Sequence, residues 1–179
     1  MSDRPSSRAE AIDRVRELIK DIQFAMFTTI TEDGQLHSRP MATQQSDFDG
    51  DLWFLTSRGS HKIHELQQHQ NVNVAYSDPD KDNYVSVAGR AELLRDRKKI
   101  EELWNPMHKA WFPQGKDDPD IELIRVHVES AEYWHAPEGR MVQVIGFAKA
   151  ALTGQRYEPG ENAAVDLRES STQKKEPAA

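Results

Sequence analysis

Basic and hydroxyl side chains gather in one stretch of this 179-residue chain, Thr56-Ser57-Arg58-Gly59-Ser60-His61-Lys62, with Arg39 on an earlier segment. The apolar run Leu52-Trp53-Phe54-Leu55 before them predicts a strand, and Ser60 predicts the cap of a helix from His61 to about Gln68. A helix start carries unpaired N–H groups and partial positive charge, and so binds phosphate well. Lys62, His61 and the hydroxyls would strengthen that hold. The same residues also fit a solvated, capped helix start with incidental basic side chains. Ser38-Arg39-Pro40-Met41 poses the same choice. Arg39 beside the third strand could reach the anion that Lys62 meets, and Pro40, lacking an N–H, leaves a gap in a ladder. An ordinary edge strand carrying a proline has that composition too.

Trp53, Phe54, Tyr84, Trp104, Trp111, Phe112, Tyr133 and Trp134 could wall a planar ligand, although core or subunit interface suits most of them. Trp111-Phe112-Pro113 differs, because it lies in a polar loop and its rings need cover. Other chemistries are poorly supplied. His61 and His64 share a helix with Glu65, but zinc needs three or four convergent ligands, and His37, His69, His108, His127 and His135 lack the spacing. The chain has no cysteine, which excludes disulfides, a thiol nucleophile and thiolate metal sites. Neither a nucleophile elbow nor a P-loop is present, and Gly89-Arg90 gives no dinucleotide fingerprint. The acidic run Lys116-Asp117-Asp118-Pro119-Asp120 reads as a solvated loop.

Net charge is −7, from 23 Lys and Arg against 30 Asp and Glu, which argues against non-specific nucleic-acid binding. No stretch approaches the ~18 apolar residues of a membrane span. The first residues lack the apolar run of a secretory signal, so a cytoplasmic protein is expected.

These residues need a scaffold to position them. Ser7 and Glu10 fit a capping box, and Ile12, Val15, Leu18, Ile19 and Ile22 follow helical spacing, so a helix is expected from Ser7 to about Asp21. Strands are expected at Phe24–Ile30, Leu36–Gln44, Leu52–Thr56, Val72–Tyr76, Tyr84–Leu93 and Ile121–Val128, with a seventh at Ala131–His135. Asp33-Gly34 and Asp47-Phe48-Asp49-Gly50 are turns between them. Asp96 should cap a short helix running through Trp104, with an irregular loop from Trp111 to Pro119. Met141 to Leu152 suits a packed helix. The domain should span 1–154, and 155–179 should be a polar tail, disordered unless a partner fixes it. The class is mainly β with helices (α+β), a six- or seven-stranded antiparallel sheet, with closure into a barrel favoured because it removes exposed edges.

In order, these motifs resemble the FMN-binding split-barrel superfamily of pyridoxamine phosphate oxidase, and within it the bacterial general stress protein branch. The resemblance rests on Phe27-Thr28-Thr29, His37-Ser38-Arg39-Pro40-Met41, Leu52 to Lys62, Val72 to Tyr76 and Tyr84 to Gly89. Trp111 to Pro119 and Tyr133-Trp134 mark the stress branch. It implies a split β-barrel and a homodimer with two flavin sites at its interface. It implies a flavin phosphate held by Arg39, Ser60 and Lys62, with His61 where pyridoxamine phosphate oxidases carry an arginine. The backbone around Ser38, Pro40 and Met41, with Phe54, Leu55 and Thr56, would line the ring and ribityl chain. Trp111 and Phe112 would close the pocket from the partner subunit. The expected cofactor is FMN, with FAD compatible with the same contacts.

The C-terminal Arg and His segment that binds pyridoxal phosphate in true oxidases has no counterpart here, so vitamin B6 synthesis is not expected. Three roles fit: an FMN-dependent oxidoreductase passing electrons from a reductant such as NAD(P)H to a small molecule, a flavin-sequestering or sensing module, and a dimer whose flavin site has decayed.

Overall fold

A computed structural model of the chain describes residues 5, 7–44, 48–135 and 161–168. The first helix, α1 (Arg8–Ile19), starts where the sequence puts it, with the Ser7 side chain accepting from the Glu10 N–H at 3.2 Å. Its buried stripe is Ala11, Ile12, Val15, Leu18 and Ile19, the spacing of one helix face. The strands follow as β1 (Phe24–Ile30), β2 (Leu36–Ala42), β3 (Asp51–Ser57), β4 (Asn71–Asp78), β5 (Asn83–Leu94), β6 (Ile121–His135) and β7 (Glu161–Asp166). Between them lie α2 (His61–Gln68), α3 (Arg97–Leu103) and a 3-10 helix, Pro106–Ala110.

The architecture is α+β, a seven-stranded antiparallel sheet with three helices. Hydrogen-bonded order is β2-β1-β4-β5-β6-β3, and β7 also pairs with β6. Tight turns decide the local pairing. Gly34, at φ +81, closes the β1–β2 hairpin, a conformation that glycine adopts without strain. Inward residues Phe27, Val74, Val85, Val87, Val126 and Tyr133 are nearly inaccessible, and with α1 they form one core. A second, smaller cluster of Ile100, Leu103, Phe112, Ile121 and Leu123 joins α3 and the following loop to the sheet.

Three expectations are corrected. β2 and β3 carry no ladder between them, so the sheet is not closed into a full ring by hydrogen bonds; it is split there. Ala131–His135 is not a separate strand but the last third of β6. The adjacent polar residues Glu129 and Ser130 look like a break, yet the register against β5 slips between Ala88 and Gly89 and continues. The true seventh strand lies within the stretch read as tail. Ala163, Val165 and Leu167 point inward and are buried, and β7 takes the edge of β6 beyond the end of β3. Arg8 Nε ties α1 to this segment by donating to the Leu167 carbonyl at 2.8 Å. The helix expected at Met141–Leu152 lies outside the described residues.

Gly89 makes the bulge possible. A Cβ built there would stand 2.3 Å from the His127 carbonyl oxygen, a backbone atom that cannot step aside. Gly89→Ala should therefore cost about 3 kcal/mol by overpacking at the longest ladder in the sheet. A urea midpoint equal to that of the unaltered protein would show that β6 can shift to make room.

Candidate functional site

The split between β2 and β3 opens into a cleft of about 400 Å³. One side is β2 with Phe24 of β1, contributing Pro40, Met41 and Ala42. The other is the exit of β3, with Leu55, Thr56 and Ser57, followed by Ser60 and Lys62 at the start of α2. His108, Trp111 and Phe112 add to the wall, and no carboxylate is among the described residues that line the cleft.

Lys62 is the cation of this site. Its Nζ donates to Thr56 Oγ1 at 2.9 Å, and no described carboxylate lies within ion-pair distance. Burial pushes its pKa down, and the charge of Arg39 pushes the same way against a smaller opposing pull from Glu65. Ser60 occupies the cap position of α2 as expected, but its side chain makes no cap hydrogen bond. Its hydroxyl instead meets Thr56 Oγ1 at 3.2 Å. Two hydroxyls, an ammonium and the first turn of α2 thus converge at one end of an apolar cleft. That donor set suits an anionic group, and the walls of Leu55, Pro40, Met41 and Phe112 suit a flat apolar ring.

Arg39 is placed differently from the expectation. Its guanidinium donates to Glu65 Oε2 and to Thr29 Oγ1, each at 2.8 Å, and does not line the cleft. Thr29 Oγ1 also donates to Glu65 Oε2 at 2.5 Å, and His37 Nδ1 stands 3.5 Å from Oε1. Glu65 is 8% exposed, and reading the sequence missed its role as the partner of Arg39. Its signal was present: α2 buries Ile63, Glu65 and Leu66, and a carboxylate beside that apolar pair needs a partner. Burial raises the Glu65 pKa, but the hydrogen bonds from Thr29 and Arg39, the Arg39 charge and His37 together outweigh it and hold the carboxyl below its ordinary 4.5. A depressed carboxyl stabilises the fold above its unfolded value and loses that contribution as pH falls. The stability advantage of the unaltered protein over Glu65→Gln should accordingly shrink as pH drops below 4.5. A gap in urea stability that stays constant through this window would contradict the network.

Other members of the sequence cluster disperse. The Ser57 hydroxyl donates to Asp120, Arg58 lies 3.7 Å from Glu122, and His61 is exposed outside the lining. Ser38 bonds Thr28 across the hairpin at 2.7 Å. The Phe54 ring belongs to the core, edge-on to Phe27 at 5.2 Å, rather than to the cleft. Trp111 and Phe112 do not act as one pair: Phe112 is buried against α3, whereas Trp111 is 56% exposed at the rim. Both line the cleft of their own chain. The acidic loop is used structurally, Asp118 Oδ1 accepting from the Asp120 N–H at 2.9 Å. No group of three metal-ligating side chains occurs among the described residues. A second cavity, about 280 Å³ beside α1, has Arg16 and Lys20 on its wall, but both pair with carboxylates of their own helix.

Residues 10–158 match the model of the pyridoxamine 5'-phosphate oxidase like family, and the chain belongs to that family. Protein bli-3 of Neurospora crassa is 28% identical over 156 residues, spanning 82% of this chain and 75% of that protein. The crystal structure of a general stress protein 26 from Jannaschia sp. CCS1 superposes with a TM-score of 0.72 at 28% identity, covering 88% of this chain and 99% of the other. The general stress FMN/FAD binding protein of Xanthomonas citri matches at 31% identity and a TM-score of 0.61, over 71% and 89% of the two chains. The chain is thus similar to general stress proteins of split-barrel fold. Among the described residues no helix is long and apolar enough to cross a membrane.

Proposed function

We propose that the protein is a homodimeric, cytoplasmic flavoprotein that binds FMN in the β2–β3 cleft and passes electrons from a reductant such as NAD(P)H to a small molecule. The observation that carries this reading is the Lys62 ammonium, with no ion-pair partner among the described residues, beside the Thr56 and Ser60 hydroxyls in an apolar cleft. These three groups and the α2 amides would hold the terminal phosphate, while Leu55, Pro40, Met41 and Phe112 would enclose the ring. A dianion there would offset the burial and the Arg39 repulsion that the Lys62 charge meets, so the site is complementary to a phosphate rather than to a neutral group. A bound flavin supplies the electron-accepting ring; the chain's residues bind it, orient it and exclude water. The FMN/FAD binding of the Xanthomonas citri relative supports the same cofactor class.

The dimer is supported by the outer sheet face. Phe24, Met26, Tyr84 and Trp134 are all at least 40% exposed on it, and large apolar side chains left open together on one sheet face suit an interface between protein surfaces. Phe24 and Pro40 belong both to this face and to the cleft wall, so a second copy covering the face would also cover the site. The absorption spectrum of the purified protein tests the reading. Bands of an oxidised flavin and FMN in the extract are expected, together with nicotinamide-dependent bleaching of those bands. A protein that stays colourless when supplied with FMN would refute flavin binding, and bound flavin with no electron transfer would leave a sequestering or sensing role.

A further inference from the structure

The lining of the cleft also holds a group that the phosphate contacts do not use. The 3-10 helix Pro106–Ala110 is closed by a reciprocal cap. Asn105 Oδ1 accepts from the Met107 N–H at 2.9 Å, and the Asn105 backbone N–H donates to His108 Nδ1 at 3.0 Å. A backbone amide only donates, so Nδ1 must present its lone pair there. The neutral imidazole therefore carries its proton on Nε2. A second proton would set N–H against N–H at the cap, and burial already pushes the His108 pKa below its ordinary value. The ring is fixed in direction by Trp104, 5.3 Å away between centroids. His108 is 4% exposed, and it lines the cleft. No described residue accepts from Nε2, yet Nε2 is not sealed within the protein.

We propose that His108 is a positioning residue whose Nε2–H donates into the cleft to a carbonyl or ring nitrogen of the bound planar ligand. This rests on the flavin reading. An isoalloxazine ring carries its carbonyls and nitrogen acceptors toward the pyrimidine end, and the opposite end carries only methyl groups. A neutral, fixed donor therefore determines which end of the ring enters against the 3-10 helix. The role differs from that of Lys62, since a neutral imidazole adds direction without a second charge.

Two variants of the full chain separate this role from the cap. His108→Gln keeps an acceptor for the Asn105 N–H and a donor for the cleft, whereas His108→Glu keeps the acceptor and removes the donor. Affinities for FMN and for uncharged riboflavin, read by fluorescence quenching, should fall about tenfold in the Glu variant and stay near the unaltered value in the Gln variant. Riboflavin excludes repulsion between the new carboxylate and a phosphate as the cause. In the unaltered protein the His108 Nε2 resonance should identify the Nε2–H tautomer and move on addition of FMN, a readout that needs no variant to fold. Unaltered riboflavin affinity in the Glu variant, or an Nε2 resonance that FMN leaves in place, would overturn the role of His108 and leave flavin binding standing. Failure of the unaltered protein to bind either flavin would overturn both.

Discussion

Lys62→Ala is expected to weaken FMN binding roughly 10- to 100-fold, the range spanned by losing one hydrogen bond to a charged group. Stability of the ligand-free protein should hold or rise. Lys62 keeps an ammonium partly buried, with a hydroxyl as its hydrogen-bond partner and the Arg39 charge opposing it. Deleting such a charge removes a desolvation cost without orphaning a partner carboxylate. Flavin fluorescence titration and urea unfolding of the same variant measure the two effects. Unchanged FMN affinity would mean that the anion sits elsewhere in the cleft. A large loss of stability would mean that Lys62 is a structural element of the α2 start.

Arg39→Ala should show the reverse pattern: a loss of about 3 kcal/mol in stability, with weaker flavin binding only as a consequence. Arg39 supplies the guanidinium that compensates Glu65, whose side chain is 10% exposed, and without it a carboxylate remains buried beside Thr29 alone and a distant His37. Pairing the change with Glu65→Gln should recover much of the loss, because the uncompensated charge goes with it. Urea midpoints of the single and double variants measure this coupling. An Arg39→Ala protein of full stability that no longer binds FMN would return Arg39 to the phosphate, as the family resemblance implies.

The contrast between these two cations shows how much of the site was legible. Lys62 follows a strand exit and a cap-type serine, and that local spacing is enough to aim it at a helix start. Arg39 sits on a strand, where its destination depends on which element lies across the sheet. Its partner Glu65 is 26 residues away and was visible only as a carboxylate on an otherwise apolar helix face. Ser60 was legible as a cap by type, but its hydroxyl is drawn to Thr56, a contact made by the turn between them. His108 could not be read at all, because its direction is set by a cap with Asn105 and by the ring of Trp104.

The fold was legible wherever one face of an element alternates or repeats cleanly. Ile12, Val15, Leu18 and Ile19 gave α1, and Asp33-Gly34 gave the first hairpin. It failed where alternation slips phase. Inward residues on β6 run Val126, Val128, then Ala131, Tyr133, and the extra residue is absorbed opposite Gly89. A bulge of that kind is a tertiary solution, invisible in strand periodicity. β7 failed for another reason: its inward set is only Ala163 and Val165, with Leu167 just beyond, too small an apolar signal to stand out from the polar residues around it.

Titration of the unaltered protein with FMN and with riboflavin, side by side and at one ionic strength, tests the phosphate grip most directly. One FMN is expected per chain, held at least about tenfold more tightly than riboflavin. Equal affinity for the two flavins, or no uptake of FMN, would contradict it.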